Sequence, residues 1–263
     1  MKKFIAMLLA LVMVVGLVAC GAKEEPAPAQ TLPEAATEDT TPAASEEGVL
    51  DGGADIAVDA EVTVMTHADY VAAELDSEVV IETYVQNNQS WWEDKVTVYC
   101  QSPDGAYFLY ELACSEEDAA KLVPGTKIRV TGVKGEWAGE VEVMDGTFEF
   151  VEGGDTFIAE ALDVTDLLAS DELIAHQNEL LSFKGMTVKA IEYKNGEPGD
   201  DIYVTLEKDG AEYNFCVEVY LTNTDSAVYT TVGELVAGDV VDVEGFLYWY
   251  EGMNPHITSI TKI

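Results

Sequence analysis

Over residues 78–86 the side chains Val79, Ile81, Thr83 and Val85 fall on every second position, the period of a strand with one buried face. The same alternation predicts strands over 95–101, 107–114, 126–131 and 140–150. It returns over 181–193, 202–208, 211–219, 239–245 and 256–263. Helical spacing is confined to short stretches. Thr66 with Asp69 three residues on forms a capping box that opens a helix over 67–75. Ser115, followed by Glu116, Glu117 and Asp118 and then by Pro124, predicts a second helix over 115–122. Further helix is predicted between 165 and 178 and in part of 220–235.

One pattern occurs twice. In Pro124-Gly125-Thr126-Lys127-Ile128-Arg129-Val130-Thr131-Gly132 a glycine opens a strand and a second glycine closes it seven residues later, with Trp137 and Gly139 to follow. In Ala237-Gly238-Asp239-Val240-Val241-Asp242-Val243-Glu244-Gly245 the spacing is the same, and Tyr250 and Gly252 stand where Trp137 and Gly139 stood. Around each copy the order is strand, strand, strand, short connection, strand, strand. That order resembles the OB-fold, a small closed Greek-key barrel. The expected fold is therefore all-β with short helices, as two tandem five-stranded OB-fold-like barrels over residues 61–155 and 156–263.

Turn chemistry predicts the two hairpin registers. Pro103-Asp104-Gly105 reads as a three-residue loop that pairs Cys100 with Phe108, Val98 with Tyr110 and Val96 with Leu112, all facing the core. Tyr99 and Tyr107 then lie on the accessible face. Asp209-Gly210 reads as a two-residue type I′ turn that sets Leu206 opposite Tyr213 and Val204 opposite Phe215, with Cys216 pointing outward.

The N-terminus departs from this alternation. Met1-Lys2-Lys3 is followed by an apolar run to Val18 and then by Leu17-Val18-Ala19-Cys20-Gly21. This resembles a bacterial lipoprotein signal peptide, 1–20, whose box cysteine is lipidated and becomes the mature N-terminus. The resemblance implies that Cys20 carries a lipid anchor and that the protein sits on the extracytoplasmic side of the cell membrane. About 15 apolar residues is short for a bilayer span of roughly 20. Residues 21–60 hold ten acids, one lysine and four of the eight prolines. Such a segment cannot bury enough apolar surface to offset its ordering entropy, so a disordered acidic linker is expected. The whole chain resembles bacterial lipoproteins with tandem OB-like domains, a resemblance that carries no catalytic residue.

Charge narrows the partners. The chain has 50 acids against 13 lysines and arginines, a formal net charge of −37. Nucleic acid is bound by cations that neutralise phosphates, and no basic stripe is present, so a nucleic-acid partner is not expected. His67, His176 and His256 are isolated and read as surface or capping residues. No zinc-protease, nucleophile-elbow or phosphate-loop motif occurs, and no enzyme activity, cofactor or metal site is expected. The acidic loop 195–201 lacks the spacing of a twelve-residue calcium loop. Cys100, Cys114 and Cys216 lack the dense spacing of a disulfide framework and are expected as free thiols.

The aromatics give the candidate site. OB-folds bind along strands two and three, between the loop joining strands one and two and the loop joining strands four and five. Trp91 and Trp92 lie in the first loop, Trp137 in the second, and Tyr99 and Tyr107 on the face between them. Tyr203, Trp249 and Tyr250 hold comparable places in the second barrel, with Tyr193 near its first loop. Rings of this kind stack on sugars or peptide side chains without needing positive charge. The expected function is thus a membrane-tethered, non-catalytic binding lipoprotein for a neutral or cationic ligand such as an oligosaccharide or peptide. The alternative is a structural or assembly lipoprotein that contacts another envelope protein.

Overall fold

In the computed structural model, which describes residues 63–263, the first set of alternating segments forms β1 (Glu78–Asn88), β2 (Lys95–Ser102), β3 (Gly105–Ala113), β4 (Lys127–Trp137) and β5 (Glu140–Phe150). They close into a barrel of order β1-β2-β3-β5-β4, in which only β3 and β5 run parallel. The second set forms β6 (Leu162–Asp163), β7 (Leu180–Tyr193), β8 (Ile202–Lys208), β9 (Ala211–Val217), β10 (Val240–Phe246) and β11 (His256–Lys262). Their sheet order is β10-β11-β9-β8-β7-β6, and β10 also pairs with β7, so the last five long strands repeat the barrel topology. The architecture is mostly β, with OB-fold-like barrels and short helices. The signal peptide, Cys20 and the acidic linker lie outside the described residues. Among the described residues no helix is long and apolar enough to cross a membrane.

The repeated glycines have one physical role per position. Gly125 and Gly238 both take positive φ, 89° and 95°, at the entrance to the fourth strand of each barrel. Gly125 donates its N–H to Val85 O at 2.8 Å, and Gly238 donates to Val188 O at the same distance. The next residues, Thr126 and Asp239, accept from the N–H groups of Val85 and Val188. The closing glycines sit where the strand slips register against its hairpin partner, between Thr131 and Val133 in β4 and between Glu244 and Gly245 in β10. A Cβ on Gly132 would stand 2.8 Å from Met144 O, and one on Gly245 would collide with His256 O. Only glycine lets the strands cross there.

The described residues also hold four short helices, α1 (His67–Ala72), α2 (Glu116–Ala119), α3 (Val219–Thr222) and α4 (Ala227–Gly233). Thr66 and Asp69 form the expected capping box on α1, and Ser115 caps α2. The helix anticipated between 165 and 178 is reduced to two 3₁₀ turns. Lys134 fastens α1 to the first barrel by donating to the carbonyls of Tyr70, Val71 and Ala73 at 2.8 to 2.9 Å. Val79, Ile81, Val98, Cys100, Tyr107, Leu109 and Val130 fill the first core. Phe183, Met186, Leu206, Phe215, Val243 and Ile257 fill the second.

The second hairpin has the expected register, Val204 opposite Phe215 and Leu206 opposite Tyr213, with Asp209 and Gly210 both at positive φ. The first does not. Ser102 pairs with Gly105, so the loop has two residues, and Tyr99 faces Phe108 while Cys100 faces Tyr107. Contacts from outside the hairpin accompany the tighter turn. Asp104 accepts the N–H of His67 at 3.1 Å, and the His67 ring lies over Gly105 where a Cβ would clash. The slip ends at a bulge, where Tyr110 and Glu111 together oppose Thr97 and Thr97 Oγ1 accepts the Glu111 N–H at 3.1 Å. Beyond it Val96 meets Leu112 as expected.

Candidate functional site

The register change moves the predicted rings. Tyr107, expected on the accessible face, points into the first barrel and packs edge-on to Tyr70 and His67, with centroids 5.0 and 5.2 Å away. Tyr110, expected inside, is exposed. Phe108 is buried as expected, but with Tyr99 rather than with Val98 and Cys100. Tyr99 does lie off the barrel interior, yet it is fully buried, because the second barrel covers the face of β2 and β3. Its ring stacks on Phe246 at 4.4 Å with 7° between planes. Its hydroxyl hydrogen-bonds His256 Nδ1 at 3.0 Å. His256 is thus a buried seam residue, not a surface one, and burial pushes its pKa down to about 4. The accessible binding face expected along β2 and β3 is closed by the chain itself.

Hydrogen bonds run along the whole seam. Glu251 donates its N–H to Ala138 O, and Trp249 donates its N–H to Glu140 Oε2, both at 2.8 Å. In the middle Leu180 donates its N–H to Gln101 Oε1 at 2.9 Å. At the far end Gln89 Nε2 donates to Glu218 Oε2 at 3.1 Å, and Ser90 donates its N–H to Tyr220 O at 2.8 Å. Backbone groups at fixed points on both sides make this a specific docking geometry.

The exposed rings Trp137, Tyr250, Trp92 and Tyr220 gather at the two ends of the seam. At one end the β4–β5 tip carries Trp137, 63% exposed, and touches the loop between β10 and β11 with Trp249 and Tyr250; Trp249 lies over Gly139 and Tyr250 is 52% exposed. At the other end Trp92 is 72% exposed although its backbone is held, since Trp92 and Lys95 exchange two hydrogen bonds of 3.0 Å across Glu93 and Asp94. Trp91 is tied back by its indole N–H, which donates to Cys114 O at 2.8 Å. The tips are set apart by the length of β3. Glu142 pairs with Phe108 near its start, and Lys95 pairs with Ala113 at its end. Trp91 and Trp137 thus do not border one site. Tyr203 is exposed on β8, opposite Cys216, and is not among the residues that line the groove described below.

The end that carries Trp92 is concave. A groove of about 390 Å³ has Val96 and Thr97 beneath it, Trp92 on the first barrel and Tyr220, 60% exposed, on the second. Gln89, Ser90 and the Lys95–Glu111 ion pair of 2.6 Å complete its rim. Sequence reading missed Tyr220 because it stands alone on α3, 128 positions from Trp92, and only the docking of the barrels brings them together. Glu218 lies beneath it, and burial, then Asp201 beside it, raise its pKa to about 7. The three cysteines Cys100, Cys114 and Cys216 are free and buried, and burial pushes their thiols up, which makes them poor nucleophiles. Among the described residues no group of three or more His, Cys, Asp and Glu is placed to hold a metal ion.

No family model and no curated protein matches the chain. Among solved structures, a murine DNA-binding protein bound with double-stranded DNA is similar over 70% of this chain and 95% of its own, at 10% identity and a TM-score of 0.36. The p202 HIN1 domain in complex with a 12-mer double-stranded DNA is similar over 70% and 92%, at 9% identity and a TM-score of 0.34. A putative aspartyl-tRNA synthetase from Leishmania major Friedlin is similar over 43% of this chain and 22% of its own, at 12% identity and a TM-score of 0.30. Likeness at this level carries no ligand across, and the OB-fold-like topology rests on the strand order of the chain itself.

Proposed function

We propose that this chain is a non-catalytic binding lipoprotein, tethered by Cys20 to the extracytoplasmic face of the membrane, that takes a neutral or cationic ligand such as an oligosaccharide or peptide in the groove between its barrels. The observation that carries the reading is the pair Trp92 and Tyr220, two exposed rings from different barrels on one cavity. Exposed rings on a held backbone offer stacking area at small entropic cost. The polar rim supplies Gln89, Ser90 and Thr97 for orientation, and the net charge of −37 disfavours phosphate-rich ligands, double-stranded DNA among them.

Calorimetric titration with neutral oligosaccharides and with neutral and cationic peptides tests it. Trp92→Ala is expected to weaken binding about tenfold, the loss of roughly 1.4 kcal/mol of stacking, with an unchanged melting temperature because the ring is exposed. Binding that survives Trp92→Ala and is lost in Trp137→Ala would transfer the site to the other end of the seam. The anchor has its own test. Cys20→Ala is expected to abolish fatty-acid labelling and to move the protein out of the membrane fraction, and continued labelling would remove the lipoprotein reading.

A further inference from the structure

Glu140, the first residue of β5, is fully buried where the second barrel docks. Its Oε2 accepts the Trp249 N–H, but its Oε1 has no partner. Asn178, also buried, lies against that carboxyl group from the other side of the seam. Its Nδ2 donates to Val141 O at 3.3 Å, and its Oδ1 has no partner either. Glu140 Oε1 and Asn178 Oδ1 are therefore both buried without a hydrogen-bond donor, and a carboxylate there would be compensated only in part, by the Trp249 N–H and the nearby Asn178 amide. Turning the Asn178 amide over does not help, because it would set Oδ1 against the Val141 carbonyl oxygen and forfeit that bond. A single proton on Oε1 supplies the donor.

No cation takes the place of that proton. The titratable groups facing Glu140 are Glu142 on β5, Tyr99 on β2, Tyr70 on α1 and Tyr248 just after β10. His256 on β11 stacks on Tyr248 at 4.5 Å and is neutral above about pH 4. Lys134 on the neighbouring β4 spends its ammonium hydrogens on the three carbonyls at the end of α1. We propose that Glu140 is held in the seam as the neutral acid, its Oε1–H donating to Asn178 Oδ1, so that this proton is a structural ligand of the two-barrel unit. The proposal stands independently of what the groove binds.

Burial raises the Glu140 pKa from 4.5 to about 8, outweighing the Trp249 N–H and the Asn178 amide that pull it down, and this sets the direction of the pH dependence. An acid raised in the folded state contributes stability that is fully present below about pH 4.5 and is lost as pH climbs to about 8. Glu142 and Glu218, each raised to about 7, act in the same sense but finish earlier. His256, lowered to about 4, acts in the opposite sense and only at acid pH. The buried tyrosine hydroxyls are pushed up and stay protonated through this window.

The melting temperature of the full chain, followed against pH for the wild type, Glu140→Gln and Glu142→Gln, separates these contributions. In Glu140→Gln the new amide is expected to supply the donor that the proton supplies in the wild type, and to do so at every pH. Its stability should therefore fall less steeply between pH 4.5 and 8, by a slope equivalent to about one proton, and should exceed that of the wild type above pH 8. Glu142→Gln should keep the step that ends near pH 8. Equal slopes for wild type and Glu140→Gln would overturn the proposal. Should that variant not fold, the assigned carboxyl carbon resonance of Glu140 in the wild type decides. A midpoint near pH 8 supports the neutral acid, and a midpoint in the ordinary carboxylate range near 4.5 overturns it.

Discussion

Tyr99→Ala is expected to destabilise the protein by about 3–5 kcal/mol, the cost of emptying a buried aromatic site, which corresponds to roughly 10 °C in melting temperature. The side chain is fully buried, stacks on Phe246 and closes the seam through His256. Removal of the ring also leaves His256 Nδ1 buried without a partner, a further penalty beyond the cavity. Tyr99→Phe isolates that second part and should cost about 1–2 kcal/mol. Urea or thermal denaturation of the three proteins measures both. A ligand-face tyrosine would show little loss of stability in either variant, so a loss under about 1 kcal/mol for Tyr99→Ala would mean that the barrels do not dock through this face.

Gly245→Ala should cost about 1–3 kcal/mol despite the single added methyl group. The new Cβ meets the backbone carbonyl of His256, which cannot rotate away as a side chain end could. Relief requires β10 and β11 to part at the slip in register, and His256 is the residue that holds Tyr99. The variant should therefore loosen the second barrel and the seam together, seen as faster amide exchange at Ile257 and Leu247. Gly238→Ala differs in mechanism. No atom obstructs its Cβ, and its cost arises from the positive φ alone, roughly 1 kcal/mol. A Gly245→Ala protein as stable as wild type would refute the close-approach role of the second glycine.

Sequence alone determined whatever depends on near neighbours. Alternation located the ten long strands of the described residues, since period two is a property of each segment. The twin glycine spacing announced two equivalent barrels, and the structure shows why: one glycine takes positive φ at a turn, and the other makes room for a carbonyl across a register slip. Asp209-Gly210 set its own hairpin because both residues accept positive φ and nothing else intrudes.

Pro103-Asp104-Gly105 could not be read the same way. Residues outside the hairpin, His67 over Gly105 and its N–H on Asp104, hold the two-residue loop, and the tripeptide itself carries no sign of them. That one-residue slip reversed the faces of Tyr107 and Tyr110. The fate of the ring face was beyond any local pattern. An exposed Tyr99 and a buried one have the same neighbours in sequence, and what distinguishes them is Phe246 and His256, more than a hundred residues away. The groove follows the same logic: Trp92 was legible as a loop aromatic, whereas Tyr220 became its counterpart only when burial of Tyr99, Phe108 and Phe246 drew the barrels together.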